Sequence, residues 1–593
     1  MIAINSDVLI PIEKHFRVSA GPGAGKTYWL VEHIKNVLHT SNRLGNTRKI
    51  ACITYTNIAV ETISSRLGTT ADQVEVSTIH SFLYKHIVKP YASFLVAEYG
   101  LNVSELDGHD ESFVHMKKVV DWIENHPNVD KLKPPYTVKQ LTKLETNKTA
   151  LLSWLSTLKC KFDESNNLKI IGDRSKAYYL KEESGKTKRM HLSKKCLDLL
   201  ELDLILYKKL YWQDGVIDHD DVLFFSYQLI KKHPFILTIL QAKFPYFFLD
   251  EFQDTNPIQI EILKLIGEKE TIVGIIGDEA QSIYGFQGAE PKQFSSFDLP
   301  DITDYVMSDN RRSTNQIIDV LNSVRADINQ NKYRNENGEK PVIIVGEMIS
   351  ALRRAKELSN AEPVYSLSRH NITSNAMKKE IGDSSLDDKL IEELSVKDKS
   401  SSSNKYRSKV VIACLKATEF AHERKFKDAI KELERIFKDK KDKDKGKKEA
   451  LRVICLLMKK YDEFKDKTLM DFYNIVKSEV KPDISKFASG AAKTFYEGHS
   501  YQQLALCVKI TEDLSNHKTI HKAKGDEFDN VLVILRDESD FEFLMNSNLA
   551  DKEEQRICYV AISRAINRLF INTSSLPNGD LSELESMFEI IKL

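Results

Sequence analysis

Apolar runs typical of buried strands alternate with helical apolar spacing over the first ninety residues. Residues 16–20 form a short strand-like run, and after a glycine-rich loop the apolar residues between Trp29 and Leu38 recur at helical spacing. Similar strand-like runs lie at 49–57 and 74–83, and the first of these is followed by a second helical pattern. Strands that alternate with helices favour a parallel sheet with crossover helices, so we predict an α/β fold.

The α/β pattern is interrupted twice. Residues 90–215 are lysine-rich and mostly helical in pattern, and strand-like runs return at 244–249 and 271–276. A second α/β block has strand-like runs near 342–346 and 363–367, and another mainly helical stretch follows it. We predict two α/β domains with parallel sheets, each carrying a mainly helical insertion. The predicted boundaries are 1–89 with 216–301 for the first α/β domain, 90–215 for its insertion, 302–382 with 506–593 for the second α/β domain, and 383–505 for its insertion.

The glycine-rich loop has the composition of a phosphate-binding loop. Its sequence is AGPGAGKT, and its glycines would let backbone N–H groups approach phosphate oxygens. Lys26 would reach the β and γ phosphates, and the hydroxyl of Thr27 would hold Mg²⁺. Ala20 departs from the strict pattern, but a small residue still permits the turn. The residues of this segment predicted to bind nucleotide are Ala20, Gly21, Pro22, Gly23, Ala24, Gly25, Lys26, Thr27 and Tyr28.

Two adjacent carboxylates complete the pattern of a nucleotide hydrolase. Asp250 and Glu251 follow the apolar run 246–249, which places them at the carboxyl end of a buried strand, where an α/β sheet opens its ligand crevice. There Asp250 would bind Mg²⁺ and Glu251 would orient the attacking water. Together with the phosphate loop, this pair predicts hydrolysis of a nucleoside triphosphate.

The composition narrows the class of protein. A chain of 593 residues exceeds what one hydrophobic core usually organises, which agrees with several domains. Basic and acidic residues balance at 86 each, so any contact with nucleic acid must come from local patches rather than from the net charge. The seven cysteines form no CxxC pair, and no apolar run is long enough to span a membrane. We therefore expect a cytoplasmic protein with reduced thiols and no membrane partner.

The chain resembles superfamily 1 DNA helicases of the UvrD/Rep/PcrA type, because motifs between residues 20 and 570 occur in the order of that family. Besides the phosphate loop and the carboxylate pair, these motifs are TYTN at 54–57, TIHS at 78–81, DHDD at 218–221, GDEAQSIYGF at 277–286, NRRS at 310–313, TIHKAKGDEF at 519–528 and EQRICYVAISRA at 554–565. The resemblance implies two RecA-like P-loop motor domains, ATP and Mg²⁺ as cofactors, and single-stranded DNA or its junction with duplex DNA as partner.

The resemblance also assigns roles to residues of these motifs. It implies that Gln281 senses the γ phosphate, and that Arg312 and Arg564 come from the second motor domain to complete a site begun by Lys26. Cations that arrive as two domains close would stabilise the charge that develops on the transferred phosphoryl group. The further residues implied to bind nucleotide are Arg311, Gly525 and Glu527, and those implied to bind DNA are Thr54, Tyr55, Asn57, Thr78, His80, Tyr284, Phe286, His521 and Lys524.

Three features depart from the family's pattern. Relatives usually read adenine with a glutamine upstream of the phosphate loop, but residues 1–19 contain no glutamine. ATP is kept as the default nucleotide despite this departure. Relatives commonly flank the base with an arginine and a tyrosine where this chain has Tyr28 and Arg311. We hypothesise a reciprocal swap that keeps one π face and one guanidinium plane around the purine. Finally, Gln287 follows Phe286 where the family often has arginine, which removes a cation from the predicted DNA track.

By this resemblance, the chain is an ATP-dependent DNA helicase that moves 3′ to 5′ on single-stranded DNA, in DNA repair or in anti-phage defence. It looks similar to the helicase subunit of Gabija-type anti-phage systems. Few residues follow the last motif, so any nuclease partner would be a separate subunit.

The alternative is a sensor subunit, which would hydrolyse ATP in response to DNA and license a partner nuclease with little unwinding. A purely structural DNA-binding protein is disfavoured because the residues expected for catalysis are all present. They are Lys26, Asp250, Glu251, Gln281, Arg312 and Arg564.

Overall fold

A computed structural model describes most of the chain. The described residues are 1–109, 114–183, 186–382, 386–398, 407–437, 443–487, 489–510, 515–536, 538–577 and 581–593. The chain divides into two compact units. The first unit contains Met1–Tyr179, Arg189–Glu339 and Glu542–Ser563, and the second contains Leu180–Lys188, Lys340–Phe541 and Arg564–Leu593.

A seven-stranded sheet organises the first unit, and its strand pairs are parallel. Across the sheet the strands follow the order Ile2–Ile4, Thr303–Met307, Phe16–Ala20, Ile272–Gly277, Tyr246–Leu249, Ile50–Thr54 and Val74–Thr78. Ile50–Thr54 and Tyr246–Leu249 are buried along their whole length. Such continuous apolar runs are typical of a parallel sheet that is covered on both faces.

Helices surround this sheet, and four of those described begin at a capping side chain, namely Asn57–Leu67, Ile79–Leu83, His219–Lys232 and Pro257–Gly267. Asp218 begins the helix His219–Lys232, because its carboxylate accepts the N–H of Asp221 at 2.9 Å while the Asp221 side chain accepts the N–H of Asp218 at 2.9 Å. The helices of the first unit outside the insertion are Lys26–Thr40, Asn57–Leu67, Ile79–Leu83, His219–Lys232, Phe235–Lys243, Pro257–Gly267, Lys292–Ser296, Asn315–Val324, Glu542–Met545 and Glu553–Ile562.

The first insertion combines helices with two small two-stranded sheets. Its helices are Lys89–Tyr91, Val96–Tyr99, Met116–Glu124, Val138–Lys143, Glu145–Leu155, Lys194–Glu201 and Leu204–Trp212. Lys159–Phe162 pairs antiparallel with Leu168–Ile171, and Tyr178–Glu183 forms the other small sheet with Lys186–His191. The mainly helical pattern predicted for 90–215 therefore omits these strands, which at four to six residues are too short to establish a period of two.

A six-stranded sheet organises the second unit, and its strand pairs are also parallel. Across the sheet the strands are His517–Thr519, Val364–Ser368, Phe528–Ile534, Ala565–Thr573, Val342–Val345 and Glu589–Lys592. Its flanking helices are Met348–Leu358, Asn371–Lys379 and Ser582–Met587. Buried apolar side chains of the two longer helices pack with those of the sheet in one core.

The second insertion is helical in its described part and has a hydrophobic core of its own. A buried ion pair joins two of its helices, since Arg407 contacts Asp398 and both side chains are almost inaccessible. Its helices are Leu390–Lys397, Arg407–His422, Phe426–Phe437, Lys443–Lys459, Tyr461–Phe464, Leu469–Ile475, Ala491–Gly498 and Tyr501–Ala505.

The predicted α/β class with two parallel sheets is confirmed. The predicted boundary at residue 302 differs from the structure, because Thr303–Met307 pairs with Phe16–Ala20 inside the first sheet. The first unit consequently continues to Glu339 and also takes in Glu542–Ser563. Among the described residues, the helices are all too short or too polar to cross a membrane.

Candidate nucleotide and DNA site

The phosphate loop lies between the strand Phe16–Ala20 and the helix Lys26–Thr40. Gly23 has φ = 73° and Gly25 has φ = 81°, a left-handed conformation that side chains other than glycine rarely adopt. A Cβ atom at Gly23 would lie 2.5 Å from Oδ1 of Asn310. The glycines are therefore required both by the backbone conformation and by close packing, and they leave a cradle of N–H groups at the start of a helix.

Lys26 folds back over this loop. Its ammonium donates to the carbonyl of Ala20 at 3.2 Å and lies 3.5 Å from the carbonyl of Gly21. The amine thus sits at the cradle, where the side chain can exchange weak carbonyl contacts for phosphate oxygens.

Two amide side chains brace the loop: Asn310, the first residue of NRRS, and Gln330, which lies outside every motif. The Nε2 of Gln330 donates to the carbonyl of Pro22 at 2.7 Å, and the Nδ2 of Asn310 donates to Oε1 of Gln330 at 3.2 Å. Oδ1 of Asn310 also accepts the backbone N–H groups of Arg312 and Ser313, at 2.9 and 3.0 Å. The segment that carries NRRS is consequently tied to the phosphate loop by side-chain hydrogen bonds.

Arg311 and Arg312 lie in the first unit, beside the phosphate loop. The N–H of Arg311 donates to the carbonyl of Gly23 at 3.0 Å, and Nη1 of Arg312 donates to the carbonyl of Ser563 at 2.6 Å. The expectation that Arg312 comes from a separate second motor domain is therefore corrected. The physical reason is the pairing of Thr303–Met307 with the first sheet, which carries the following residues to the phosphate loop.

The guanidinium of Arg311 has two partners that sequence motifs did not reveal. It lies 3.8 Å from the ring centroid of Tyr333 and forms an ion pair with Asp7. Tyr28 is 48% exposed, so its ring is open to a ligand. The proposed swap of Tyr28 and Arg311 around a purine stays a prediction, and Asp7 and Tyr333 are added to the groups that hold the arginine in place.

Asp250 follows the strand Tyr246–Leu249 and is 4% exposed. Burial raises the pKa of Asp250 to about 7, Glu251 adds to the rise, and Lys26 with a hydrogen bond from Thr27 opposes it. A buried carboxylate beside a threonine hydroxyl supplies the hard oxygen ligands that Mg²⁺ prefers. Thr27 and Asp250 therefore fit the metal implied by the sequence, and the glycine cradle with Lys26 fits a nucleotide's phosphates.

Glu251 adopts an unusual backbone conformation. Its φ is 56°, in the left-handed region that a residue with a Cβ rarely occupies, and Gln253 Nε2 donates to its carboxylate. Strained residues of this kind persist where the surrounding structure over-determines them, which is common at functional sites. The conformation turns the chain directly after Asp250 and gives the two neighbouring carboxylates different surroundings.

Gln281 belongs to a buried polar network. Its Nε2 donates to Asp278 at 2.5 Å, and Arg325 Nη2 lies 2.9 Å from Asp278. Burial opposes ionisation of Asp278, but Arg325 and then Lys26 outweigh it and hold the pKa of Asp278 below its ordinary value. Arg325 was missed by sequence reasoning, because it lies on a helix end outside every motif.

Aromatic residues predicted to bind DNA come together in the first unit. Tyr55 stacks on Tyr284 with ring centroids 4.9 Å apart, and Tyr284 lies 5.8 Å from Phe286. The hydroxyl of Tyr55 donates to Gln287, and Phe286 is 61% exposed. We call Tyr55, Tyr284 and Phe286 the aromatic ladder, a platform of the kind on which bases stack at roughly 1–3 kcal/mol each.

The other predicted DNA contacts of this unit lie at strand ends and helix starts. Thr54 ends the strand Ile50–Thr54, and Asn57 begins the next helix. Thr78 caps the helix Ile79–Leu83, in which the ring of His80 lies 5.2 Å from that of His219. Burial, with His219 and His109 nearby, lowers the pKa of His80 to about 3, so His80 is neutral near pH 7.

The remaining predicted site residues lie in the second unit, around the turn that precedes Phe528–Ile534. Gly525 has φ = 91°, as the turn requires. Arg564 is buried, its Nη1 donates to the carbonyl of Asp526 at 3.4 Å, and its own carbonyl accepts the N–H of Phe528 at 3.0 Å. The turn thus positions Arg564 within this unit, and it also carries His521, Lys524 and Glu527.

Two family models match the chain. The UvrD/REP helicase N-terminal domain matches residues 4–300, half of the chain, and the UvrD-like helicase C-terminal domain matches residues 387–575. The chain belongs to the UvrD/REP helicase family. The first match contains the phosphate loop, the carboxylate pair and the aromatic ladder of this family member.

Relatives of this helicase-family chain come from bacteria and yeast. Gabija protein GajB of Bacillus cereus is 29% identical over 332 residues, which are 52% of this chain and 46% of GajB. ATP-dependent DNA helicase srs2 of Schizosaccharomyces pombe is 28% identical over 343 residues, 55% of this chain and 34% of srs2. ATP-dependent DNA helicase PcrA of Staphylococcus aureus is 24% identical over 680 residues, 98% of this chain and 86% of PcrA. The chain spans less than half the length of the first two relatives.

The raised pKa of Asp250 predicts that binding of Mg²⁺ to this helicase-family chain depends on pH. Below about pH 7 the carboxyl holds a proton that the metal must displace, so Mg²⁺ affinity should rise from pH 6 to pH 8, by up to about tenfold for each pH unit below the pKa. The measurement is a Mg²⁺ titration in the presence of a non-hydrolysable nucleotide at several pH values.

The matched control for this prediction is Asp250→Asn, which does not titrate in this range. It should bind Mg²⁺ more weakly, and its remaining pH dependence reports protonation of the nucleotide itself. Equal pH dependence in the two proteins would contradict a titrating ligand at Asp250. The raised pKa of Asp250 also affects the stability of the metal-free protein. The folded state holds the proton more tightly than the unfolded chain does, so the free energy of unfolding should fall as pH rises from about 4 to about 7.

Proposed function

We propose that the chain is an ATP-dependent DNA helicase that moves 3′ to 5′ on single-stranded DNA and separates strands. The observation that carries this proposal is the short segment between Gln281 and Phe286. At one end Gln281 belongs to the buried network with Asp278, and three residues later Tyr284 stacks on Tyr55. In this proposal, one short segment connects the nucleotide side of the first unit with its base-stacking side.

The segment is also clamped between these ends. Oγ of Ser282 donates to the carbonyl of Gln253 at 2.9 Å, and Nε of Arg556 donates to the carbonyl of Ser282 at 2.7 Å. Gln253 follows the carboxylate pair and contacts Glu251. In the proposed mechanism, a displacement at the carboxylates would pass through these contacts to the backbone that carries Tyr284, as a motor that couples hydrolysis to movement requires.

The proposed roles of the site residues follow from their surroundings. The cradle of N–H groups and Lys26 would bind the β and γ phosphates, and Thr27 with Asp250 would hold Mg²⁺, which neutralises charge on the phosphates. Glu251 would orient water for attack on the γ phosphate, and Gln281 would sense that phosphate. The family resemblance adds five residues to those proposed to contact the nucleotide: Arg311, Arg312, Gly525, Glu527 and Arg564.

The proposed DNA contacts are the aromatic ladder and a set of polar residues from the family motifs. Stacking on rings is indifferent to base identity, so the helicase would act on any sequence. The polar residues proposed to contact DNA are Thr54, Asn57, Thr78, His80, His521 and Lys524. ATP is the proposed nucleotide.

A strand-separation assay tests this function. Duplexes with either a 3′ or a 5′ single-stranded overhang carry a fluorophore and a quencher, and phosphate release is measured in parallel. A 3′-to-5′ helicase releases strands from the 3′-overhang duplex when ATP and Mg²⁺ are present, and single-stranded DNA stimulates its hydrolysis. Release from the 5′-overhang duplex alone would reverse the proposed direction, and absence of hydrolysis with abundant oligonucleotide would overturn the function.

The same assay distinguishes a helicase from the alternative, a sensor subunit. A sensor would hydrolyse ATP in response to DNA and release no strand. Similarity to a Gabija protein supports a role in anti-phage defence with a separate nuclease as partner, and a role in DNA repair is the alternative. Purification of the tagged chain from its native host tests this part, since a defence complex would retain a nuclease through the purification.

A further inference from the structure

A hairpin of the first insertion reaches the aromatic ladder. Its strands Lys159–Phe162 and Leu168–Ile171 pair antiparallel, with Cys160 opposite Ile170. Both of those side chains are buried in the core of the first unit, and the N–H of Cys160 donates to Oδ1 of Asp220 at 3.2 Å. The hairpin is therefore anchored, and Lys159, which precedes Cys160, has a defined position on the opposite face.

Lys159 places its ammonium at the exposed end of the ladder. Its Nζ donates to the backbone carbonyl of Phe286 at 2.5 Å, and the ring of Phe286 is 61% exposed. An ammonium has three N–H donors, and Phe286 accepts one of them. Lys159 can consequently contact a second acceptor while it stays beside the ring.

The ladder itself supplies rings but no charge. Tyr55, Tyr284 and Phe286 are neutral, and Gln287, which follows them, is neutral and accepts a hydrogen bond from the hydroxyl of Tyr55. A strand whose bases stack on these rings carries one phosphate per nucleotide alongside, and binding of single strands needs cations that track this backbone. Lys159 is a cation at the required place.

The surroundings of Lys159 also favour an added anion. Partial burial lowers the pKa of Lys159, while the nearby carboxylates of Asp220 and Asp173 raise it and Lys161 lowers it. Burial is the largest of these effects, so the nearby carboxylates give the ammonium less compensation than it loses in hydration. A phosphate oxygen would provide that compensation as a charge-assisted hydrogen bond.

We propose that Lys159 binds a backbone phosphate of the single strand whose bases stack on the aromatic ladder. The inference rests on the proposed function, because it requires DNA on the ladder. It adds to that function a phosphate contact supplied by the first insertion, at a residue that belongs to none of the motifs. The chain thereby regains a cation next to Gln287.

The test compares salt dependence of DNA binding in matched variants. Binding of a labelled oligothymidylate is followed by fluorescence anisotropy over a series of KCl concentrations. Lys159→Ala should weaken binding about tenfold at low salt. It should also reduce the slope of log affinity against log salt by about 0.7, the value for one phosphate contact on a single strand. Lys159→Arg should keep the slope of the unaltered protein.

Two further variants test whether the change in affinity and salt slope arises from the positive charge at position 159. Lys139→Ala removes an exposed lysine from the helix Val138–Lys143 of the same insertion and should leave affinity and slope unchanged. Gln287→Arg in the Lys159→Ala background puts a cation beside the same ring and should recover part of the slope. Circular dichroism spectra and thermal unfolding midpoints equal to those of the unaltered protein show that the variants are folded.

The outcomes are distinguishable from failure of the proposed function. If the unaltered protein does not bind the oligonucleotide, the proposed function is overturned and this inference with it. If the unaltered protein binds but Lys159→Ala behaves as Lys139→Ala does, the phosphate contact alone is overturned. A loss of affinity with an unchanged salt slope also overturns it, because a structural role would weaken binding without removing a counterion contact.

Discussion

Replacing Glu251 by glutamine is expected to lower DNA-stimulated nucleotide turnover by about 10²- to 10⁴-fold, the range for loss of a positioned general base. Glutamine keeps the shape of the side chain and its contact with Gln253, but it cannot accept a proton from water. The left-handed backbone at Glu251 turns the chain directly after Asp250, and the hydrogen bond from Gln253 holds the Glu251 carboxylate. The measurement is kcat for phosphate release at saturating oligonucleotide.

Nucleotide affinity should change little in the Glu251→Gln variant, because the phosphate cradle is untouched. A fluorescent nucleotide analogue measures this affinity directly. The matched control is Glu268→Gln, which neutralises an exposed carboxylate directly after the helix Pro257–Gly267 and should leave turnover unchanged. Turnover of Glu251→Gln within about threefold of the unaltered protein would assign the catalytic base to another residue.

The parts of the site that sequence reasoning found are those encoded within a few consecutive residues. The phosphate loop is local, since its glycines, Lys26 and Thr27 all lie in eight residues between a strand and a helix. Asp250 is local in the same sense, because the end of an apolar run places it at the edge of the sheet. Parallel sheets followed from the alternation of strand and helix patterns, and the structure has them.

The parts that were missed depend on contacts between distant segments. Arg325 contacts Asp278, and Gln330 contacts Pro22, although each pair is far apart in the sequence and no periodic pattern links its members. Arg311 likewise contacts Asp7, near the N-terminus, and Tyr333, which lies further along the chain. A polar side chain acquires such a role only through the tertiary fold, so a pattern in one sequence could not identify these residues.

The domain boundary illustrates a second limit. The strand Thr303–Met307 is short, and its sequence does not indicate which of the two sheets it joins. Only the register opposite Phe16–Ala20 assigns it to the first sheet, and with it the arginines that follow. A sequence pattern predicts that such a strand exists. Its place in the strand order depends on which neighbouring elements bury the two faces of the strand.

Replacing Lys26 by alanine is expected to abolish measurable nucleotide hydrolysis, a loss of at least about 10³-fold, because the charge that develops on the phosphoryl group loses its nearest cation. Binding of single-stranded DNA in the absence of nucleotide should persist, since the contacts of Lys26 are the carbonyls of Ala20 and Gly21 and not the aromatic ladder. Phosphate release and oligonucleotide anisotropy measure the two effects. Lys35→Ala is the control, because it removes an amine from the same helix that pairs only with Glu32 at 2.8 Å among the contacts described.

The Lys26→Ala variant should also move the titration of Asp250. Lys26 opposes the burial that raises the pKa of this carboxyl, so its removal should raise that pKa further. The pH at which Mg²⁺ binding reaches half of its maximum should therefore be higher in Lys26→Ala than in the unaltered protein, whereas Lys35→Ala should leave it in place. If hydrolysis is lost but the midpoint is unchanged, Lys26 acts on the phosphates alone and does not influence the titration of Asp250.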